Sequence, residues 1–486
     1  MKQYILLAAA LLLVLPAVSA TKKNKQQSIN NLAIRYLDNS FQHYDVIQKQ
    51  IWSNPELGFL ESFSSSLLQK QLEENGFVIE KGVAGMPTAF VATYGSGKPV
   101  IGILAEFDAL PGLSQDTVPY RKPLVEGGSG HGCGHNVFGV GSVAGAIATK
   151  QWLSETKQTG TIKVFGTPAE EGGGGKVYMV RDGFFEGVDV VLDWHPGTGN
   201  RVSTGTGTAI QMVDFSFTGK ASHAAGAPDK GRSALDGVEA FNYMVNLLRE
   251  HVPASSRIHY VITNGGEAPN VVPEFAKVSY YIRSPKREVL KELTAWINQA
   301  AEGAALGTQT KVASEIISGF YEKLPNRKLA ELVQKKLEIV GGIQYDARER
   351  AFAEGILKTV DKDTTALKEV AQVAPLKEEE PSQGGGSSDV GDVSWNVPTV
   401  SFTTATFIPG SAGHSWQNVA SDGTTIGTKS LINTAKVFAL SAIELYTNPS
   451  YVKEVQSEFE QRRGSGFTYH PLLGDRKPAL DYRVKK

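Results

Sequence analysis

Apolar residues recur at two different spacings along the first half of the chain, and these spacings predict alternating helices and strands. Between residues 30 and 75 the spacing is helical, and a Ser-Asn-Pro interruption at residues 53–55 divides the segment into two predicted amphipathic helices. Two β-type runs follow, Thr88–Tyr94 and Val100–Ala105, and the second is almost entirely apolar, as in a strand covered on both faces. A helix rich in small residues is then predicted from His135 to Trp152.

Two further apolar runs, Thr161–Gly166 and Val188–Trp194, continue the alternation. Strands that alternate with helices predict an α/β fold, in which a mostly parallel sheet is flanked by helices on both faces. The residues with reactive side chains fall directly after these runs. Ligands bind at the carboxyl ends of the strands in open α/β sheets, so we expect a functional site at this edge.

The pattern changes near residue 209, where half-buried strands and amphipathic helices begin. The predicted elements are, in order, Ile210–Thr218, Ser233–Glu250, Arg257–Thr263, Ala276–Arg283, Arg287–Leu306 and Thr310–Ile317. This β-α-β-β-α-β order is typical of a ferredoxin-like α+β unit. We therefore expect residues 209–320 to form an inserted domain, with the surrounding domain split into residues 21–208 and 321–446.

Two other segments stand apart from these domains. Lys358–Ser388 is charged and then rich in glycine, and we expect it to be a mobile excursion rather than a domain boundary. After a last long helix, Thr425–Tyr446, the tail at residues 447–486 is polar and basic, and its sequence indicates no role.

The N-terminus has the pattern of an export signal. Lys2 precedes an apolar run from Ile5 to Val14, and small residues at 18–20 form a cleavage site. We expect residues 1–20 to be removed and the mature chain to begin at Thr21, exported to the periplasm if the source is a double-membraned bacterium; a signal anchor is the alternative. No other stretch is apolar enough for a membrane helix.

The 49 basic and 50 acidic residues nearly cancel, which argues against a nucleic-acid partner.

The single cysteine of the chain, Cys133, lies between His131 and His135 in a glycine-rich turn. A thiolate beside an imidazole suits a soft or borderline divalent metal ion. The alternative is a buried, inert cysteine. One cysteine cannot form an internal disulfide, and an unpaired thiol in an oxidising compartment favours a role such as metal ligation.

Four more residues could complete such a site. Glu170 and Glu171 follow the strand Thr161–Gly166, where one carboxylate could bind metal while the other accepts a proton from water. His195 and His414 follow later strand and loop segments. Each residue taken alone could equally be a surface acid, a core histidine or a loop histidine. Together they give a sulfur, nitrogen and oxygen donor set sufficient for two borderline divalent ions: Cys133, His135, Glu171, His195 and His414.

The inserted domain carries three further candidates: His223, Asn270 and Arg283. His223 could donate to a developing oxyanion, provided that the domain folds over the site. Arginine suits the bidentate capture of a carboxylate, although most single arginines lie on the surface.

Several ordered motifs resemble the dinuclear-metal aminoacylase/carboxypeptidase family of amidohydrolases, over about residues 30–446. They are residues 105–112, 130–136, 166–176, 194–196 and 389–395. The resemblance implies a metal-binding α/β domain with an inserted lid that also dimerises. It further implies two divalent ions, manganese or zinc, on the five donors named above.

The resemblance also implies roles for the other candidates. Glu170 would be the general base, and His223 would stabilise the tetrahedral intermediate in its own or the partner subunit's site. Asn270 and Arg283 would meet the substrate carboxylate. In one departure, Glu106 stands where many relatives have a ligand histidine, so the Cys-His pair replaces that ligand. Asp108 is then an orienting residue.

The implied reaction is hydrolysis of the amide bond of a small N-acyl amino acid, with p-aminobenzoyl-glutamate as the expected substrate. A dipeptidase or a deacylase of other N-acyl amino acids is the near alternative. A metal- or peptide-binding protein without turnover is the distant one, and Glu170 argues against it, because binding alone needs no base. The expected assembly is a homodimer or a heteromer with a homologous subunit.

Overall fold

The computed structural model describes residues 31–378 and 386–484, which form two sheets with flanking helices. The strands are β1 (Val78–Lys81), β2 (Phe90–Ser96), β3 (Val100–Ala105), β4 (Gly160–Gly166), β5 (Val190–Gly197), β6 (Arg201–Ser203), β7 (Ala209–Thr218), β8 (Arg257–Asn264), β9 (Phe275–Ser284), β10 (Lys311–Phe320) and β11 (Thr399–Ala405). The helices are α1 (31–39), α2 (Phe41–Trp52), α3 (Ser62–Glu74), α4 (His135–Thr156), α5 (Gly175–Arg181), α6 (Ala234–Leu248), α7 (Arg287–Thr308), α8 (Arg327–Val340), α9 (Ala347–Leu357), α10 (Val390–Ser394), α11 (Trp416–Asp422), α12 (Thr425–Thr447) and α13 (Pro449–Arg463).

The larger sheet has the order β1-β2-β4-β3-β5-β11-β6, and its four central strands, β4, β3, β5 and β11, are parallel. Successive residues of a central strand point to opposite faces of the sheet and therefore belong to different hydrophobic cores. On β5, Leu192 packs in the core beneath α4 and α12, whereas Val191 packs in the core beneath α5 and α10. The central strands are almost entirely buried because both faces of the sheet are covered. The expected α/β fold is confirmed.

The smaller sheet has the order β10-β7-β9-β8 and is antiparallel throughout. Its strands, together with α6 and α7, follow the β-α-β-β-α-β order, so the expected ferredoxin-like unit is present. Phe241 of α6 packs between Phe215 and Tyr280 of the sheet, with ring centroids 4.7 and 5.0 Å apart. We call this unit the lid. Both of its connections to the larger domain lie side by side, because Ile210 of β7 pairs with Phe320 of β10.

The charged segment Lys358–Ser388, which was expected to be a mobile excursion, packs in part onto the larger domain, while most of its other described residues are exposed. Residues Thr364–Ala371 form a 3-10 helix. Its Leu367 and Val370 are buried against Ile343, and the side-chain amide of Asn200 donates to the Val370 carbonyl at 2.9 Å. These apolar residues at close spacing stabilise the segment despite its charge. Residues 379–385 lie outside the described part of the chain.

The described residues include most of the C-terminal tail but not the N-terminal segment. The export signal expected at residues 1–20 lies outside the described residues. Within the described ranges, 31–378 and 386–484, no helix combines the length and the apolar character that crossing a bilayer requires. The C-terminal tail, to which the sequence assigned nothing, forms α13 and then a segment that packs against both domains.

Candidate metal centre

The candidate residues converge at the carboxyl ends of the four parallel strands. Glu170 and Glu171 follow β4, Asp108 follows β3, His195 lies near the end of β5, and His414 is in the loop after β11. These strands are neighbours in the sheet, so their ends meet on one edge. Cys133 and His135 reach the same edge from the turn that begins α4.

The five predicted metal ligands form two groups that share Cys133. One group is Cys133, His135 and His195, and the other is Cys133, Glu171 and His414; within each group the donor atoms lie within 4.8 Å of one another. Two groups with a common thiol are an arrangement that could hold two ions close together.

Hydrogen bonds orient both histidines of the first group. The Nδ1 atom of His135 lies 2.9 Å from Asp108 Oδ1, and the Nδ1 atom of His195 lies 2.8 Å from the Pro196 carbonyl. A proton on each Nδ1 satisfies these acceptors and leaves Nε2 as the donor atom for a metal ion. Asp108 also accepts from the Glu171 backbone at 2.9 Å, so it fixes a member of each group.

The chemistry of the donors fits divalent cations. His135 Nε2 and Glu171 Oε1 are buried without a hydrogen-bond partner among the described residues. Burial and the nearby Glu171 carboxylate raise the pKa of the Cys133 thiol, so a cation is needed to hold it as a thiolate. Burial lowers the pKa of His195 to about 3, which keeps its imidazole neutral, as a ligand must be.

Backbone strain accompanies the site. Ala169, which precedes Glu170, has φ of 57°, and His414 has φ of 55°, both in the left-handed region that non-glycine residues rarely adopt. Strained backbone of this kind persists where the surrounding structure fixes it, as at ligand clamps. The Glu61 carboxylate does so at Ala169 by accepting from its backbone N–H at 2.8 Å.

Glu170 is half-buried at the same edge and belongs to a third group of donor atoms, with Glu106 and His135. Burial and the neighbouring Glu106 carboxylate raise the pKa of Glu170. A carboxyl with a raised pKa close to metal donors has the properties of a proton acceptor that can return its proton.

The sequence motifs did not indicate the buried ion network behind the donors. Lys176 Nζ lies 2.7 Å from Glu106 Oε1 and 2.6 Å from Asp389 Oδ1, and all three residues are buried. All three residues lie within the motifs described above, but a lysine after four glycines looks solvated in sequence. His131 is buried too, and burial lowers its pKa to about 3; it belongs to none of the three donor groups in the described residues.

A cavity of about 840 Å³ opens over the donors, and Cys133, Glu170, Glu171, His195 and His414 line it. The lid contributes Arg283 to the same cavity, where its Nη1 donates to Ser387 Oγ at 2.8 Å.

The structure does not bring His223 and Asn270 to this cavity. Both are exposed, and they lie beside each other, since the Ala224 N–H donates to the Asn270 carbonyl at 3.0 Å. The Nδ1 atom of His223 accepts from the backbone of Gly226 at 3.0 Å. An oxyanion role for His223 within its own subunit is therefore not supported by the geometry of the single chain.

The sequence profile of the peptidase family M20/M25/M40 matches residues 102–443. The chain belongs to this family. The resemblance identified from the motifs is confirmed, and with it the assignment as a hydrolase of amide bonds.

Individual M20/M25/M40 proteins extend the likeness over most of the chain. One of the two subunits of p-aminobenzoyl-glutamate hydrolase from Escherichia coli K12 is 37% identical over 457 residues, which cover 88% of this chain and 95% of that protein. Mouse Xaa-Arg dipeptidase is 28% identical, covering 88% of this chain and 91% of that protein. A solved dinuclear metal-binding M20 peptidase from Bacillus subtilis has the same fold, with a TM-score of 0.54, 16% identity, and coverage of 82% and 98% of the two chains.

Proposed function

We propose that this protein is a metal-dependent amidohydrolase that cleaves p-aminobenzoyl-glutamate to p-aminobenzoate and glutamate. The observation that carries the proposal is the cavity itself, in which two groups of metal donors, a carboxyl suited to proton transfer and an arginine from the lid are combined. The choice of substrate is supported by the relative from Escherichia coli, which this chain matches over nearly its whole length.

Cys133, His135 and His195 would hold one divalent ion, and Cys133, Glu171 and His414 would hold the other. The mixed donors suit manganese or zinc. Bound ions of this kind supply Lewis acidity and lower the pKa of a bound water molecule to about 7.

The protein's own residues then carry the proton. Glu170 accepts the proton of the attacking water as the new C–O bond forms at the amide carbonyl. It returns that proton to the leaving nitrogen as the C–N bond breaks, so one carboxyl serves as base and then as acid. Arg283 lines the same cavity, and this supports its assignment as the residue whose guanidinium would bind the substrate carboxylate.

Action on dipeptides or other N-acyl amino acids is the second candidate, and the similarity to a mouse Xaa-Arg dipeptidase favours it. A role in binding without turnover has less support, because Glu170 lies beside the donors without belonging to either of the two groups that share Cys133.

We further propose that His223 and Asn270 act in the site of a partner subunit, because the chain's own cavity excludes them. The lid has an exposed apolar surface suited to such a partner: Val261 and Ile262 on edge strand β8, with Tyr243 and Leu247 on α6. Both subunits of the Escherichia coli hydrolase are similar to this chain, so the partner is a second copy or a homologous subunit. Sedimentation of the L247E variant tests this; a monomer is expected, and an unchanged assembly would refute this surface.

The N-terminal segment supports export to the periplasm. Cell fractionation with detection of a shortened mature chain beginning at Thr21 tests this proposal, and a full-length cytoplasmic protein would contradict it.

The reaction is tested by the release of p-aminobenzoate from p-aminobenzoyl-glutamate, scored beside a panel of dipeptides and N-acyl amino acids, with the protein loaded with manganese or zinc. The E170Q variant is expected to keep its metal and to lose about 10²- to 10⁴-fold in turnover. Glu186→Gln, at an exposed carboxylate, is the matched control. Normal turnover by E170Q would refute the base assignment, and no release from any panel member by the loaded wild-type protein would favour the binding role.

A further inference from the structure

The C-terminal tail follows a defined path from α13 to the metal centre. Tyr469 donates to Asp392 Oδ1 at 2.8 Å, which ties the tail to the larger domain. Leu472 is buried, and its carbonyl accepts from the Gln211 side chain of β7 at 2.9 Å. Arg476 then donates to the backbone of β10. The family profile ends at residue 443, so the tail lies outside the part of the chain that it matches.

The last described residues of the tail lie beside a proposed metal ligand. Arg483 Nη2 donates to the backbone carbonyl of Glu171 at 2.5 Å, and Tyr482 Oη donates to the same oxygen at 3.3 Å. The guanidinium lies 4.9 Å from the centroid of the Tyr482 ring, and that ring packs edge-on against Phe59 with centroids 5.7 Å apart. Aromatic packing and the carbonyl therefore hold the guanidinium in place at the rim of the cavity.

The charge of Arg483 has no anionic partner within the described residues. No salt bridge joins it to a described carboxylate, and its Nε is buried without a hydrogen-bond partner there. Arginine stays protonated in proteins, so its half-buried charge gains from an anion. Glu171 provides only its carbonyl, which leaves most of the five guanidinium N–H groups for another acceptor.

The cavity as a whole is lined for an anion with more than one negative group. Its acidic residues include Glu170 and Glu171, which the proposed reaction uses as base and ligand. Against these stand four basic side chains: Arg201, Arg283, Lys323 and Arg483. Arg283 suffices for the carboxylate next to the amide, so further cations indicate a second carboxylate on the substrate.

We propose that Arg483 is a specificity-determining residue that binds the side-chain carboxylate of an N-acyl dicarboxylic amino acid. This inference rests on the proposed function and deepens it, because it assigns the selection of an acidic side chain to the tail rather than to the family's shared site. A substrate whose side chain is neutral leaves the guanidinium without its anion and is discriminated against for that reason.

The test compares p-aminobenzoyl-glutamate with p-aminobenzoyl-glutamine, which differ only in the charge and the terminal group of the side chain. In R483Q, kcat/KM for the glutamate compound is expected to fall roughly 10- to 100-fold, mainly through KM, while the glutamine compound changes by less than about threefold. Arg483→Lys should restore part of the difference. Lys477→Gln, an exposed lysine of the same tail, removes the same charge and is the control. Metal content is measured for each protein and is expected to be unchanged.

Equilibrium binding separates this proposal from the proposed function. Calorimetry with both compounds is carried out in the E170Q background, with and without R483Q, so that it does not depend on turnover. Preferential binding of the glutamate compound that R483Q abolishes supports the assignment even if the wild-type protein hydrolyses neither compound, which would overturn the proposed function alone. Equal losses for both compounds, a loss of metal, or a preference that R483Q leaves intact would overturn the role of Arg483.

Discussion

Lys176 is completely buried, and its ammonium group is the shared counter-charge of two buried carboxylates. Its Nζ lies 2.6 Å from Asp389 Oδ1 and 2.7 Å from Glu106 Oε1. Lys176→Met keeps most of the side-chain length and the apolar stem but removes the charge. Both carboxylates would then remain in the interior without this cation, and their mutual repulsion would no longer be offset.

Removing one partner of a buried ion pair costs about 3–5 kcal/mol, and we expect Lys176→Met to lie in this range at pH 8. Burial already raises the pKa of Glu106 to about 7 with the lysine in place. Without the lysine, the pKa values of Glu106 and Asp389 in the folded state rise further above their unfolded values. The folded variant therefore binds more protons than the unfolded chain, so its stability falls as pH rises and the loss is smaller at pH 5.

The assay is urea unfolding followed by the fluorescence of the six tryptophans, at pH 5 and pH 8. Asp389→Asn and the double variant complete a cycle, in which the double variant should lose about 1–3 kcal/mol less than the two single losses added together. The exposed Lys335 provides the control Lys335→Met, expected within about 0.5 kcal/mol of wild type. If Lys176→Met is as stable as the control at pH 8, the network does not need its cation and the reasoning fails.

Other predictions concern the donors, a crowded turn and the core. Cys133→Ala should lower metal content in elemental analysis, because both donor groups share this thiol; full occupancy would remove it from the ligands. Gly391→Ala would place a Cβ 1.9 Å from the Tyr321 carbonyl, so we expect a loss of about 1–3 kcal/mol or more in urea unfolding, and an unchanged midpoint would contradict this. Phe438→Ala should cost about 3–5 kcal/mol, because its buried ring packs against Gly145 of α4; a loss below about 1 kcal/mol would show that the core collapses around the gap.

The elements that local patterns determine could be predicted. The apolar strand β3, the apolar start of β5 and the changed alternation at residue 209 reflect which faces of each sheet are covered, and neighbouring residues in the sequence carry that information. The convergence of the proposed donors Cys133, Glu171, His195 and His414 on one edge of the sheet could be predicted for a related reason. Each lies after a strand or in the turn before a helix, and parallel topology brings such ends together.

What could not be predicted depends on contacts between distant segments. Arg483 reaches Glu171 only because buried residues such as Leu472 guide a tail whose composition looks solvated. The burial of Lys176 depends on Asp389, which lies beside it in the fold. Asp389 is 213 residues away in the sequence, so no local pattern reveals the pair. His223 was expected to approach the reaction, but the position of a lid residue relative to the cavity follows from tertiary and quaternary geometry rather than from any local pattern.

The position of β11 in the chain sets the order in which the protein can assemble. Thr399 pairs with Val191 of β5, about 200 residues earlier, so the larger sheet stays incomplete while the lid is synthesised. The lid is continuous from Ala209 to Phe320 and can fold as a unit during that interval. His414 emerges later still. The full set of proposed donors therefore exists only after residue 414 has been synthesised, so a metal ion could bind to all of them only after that point.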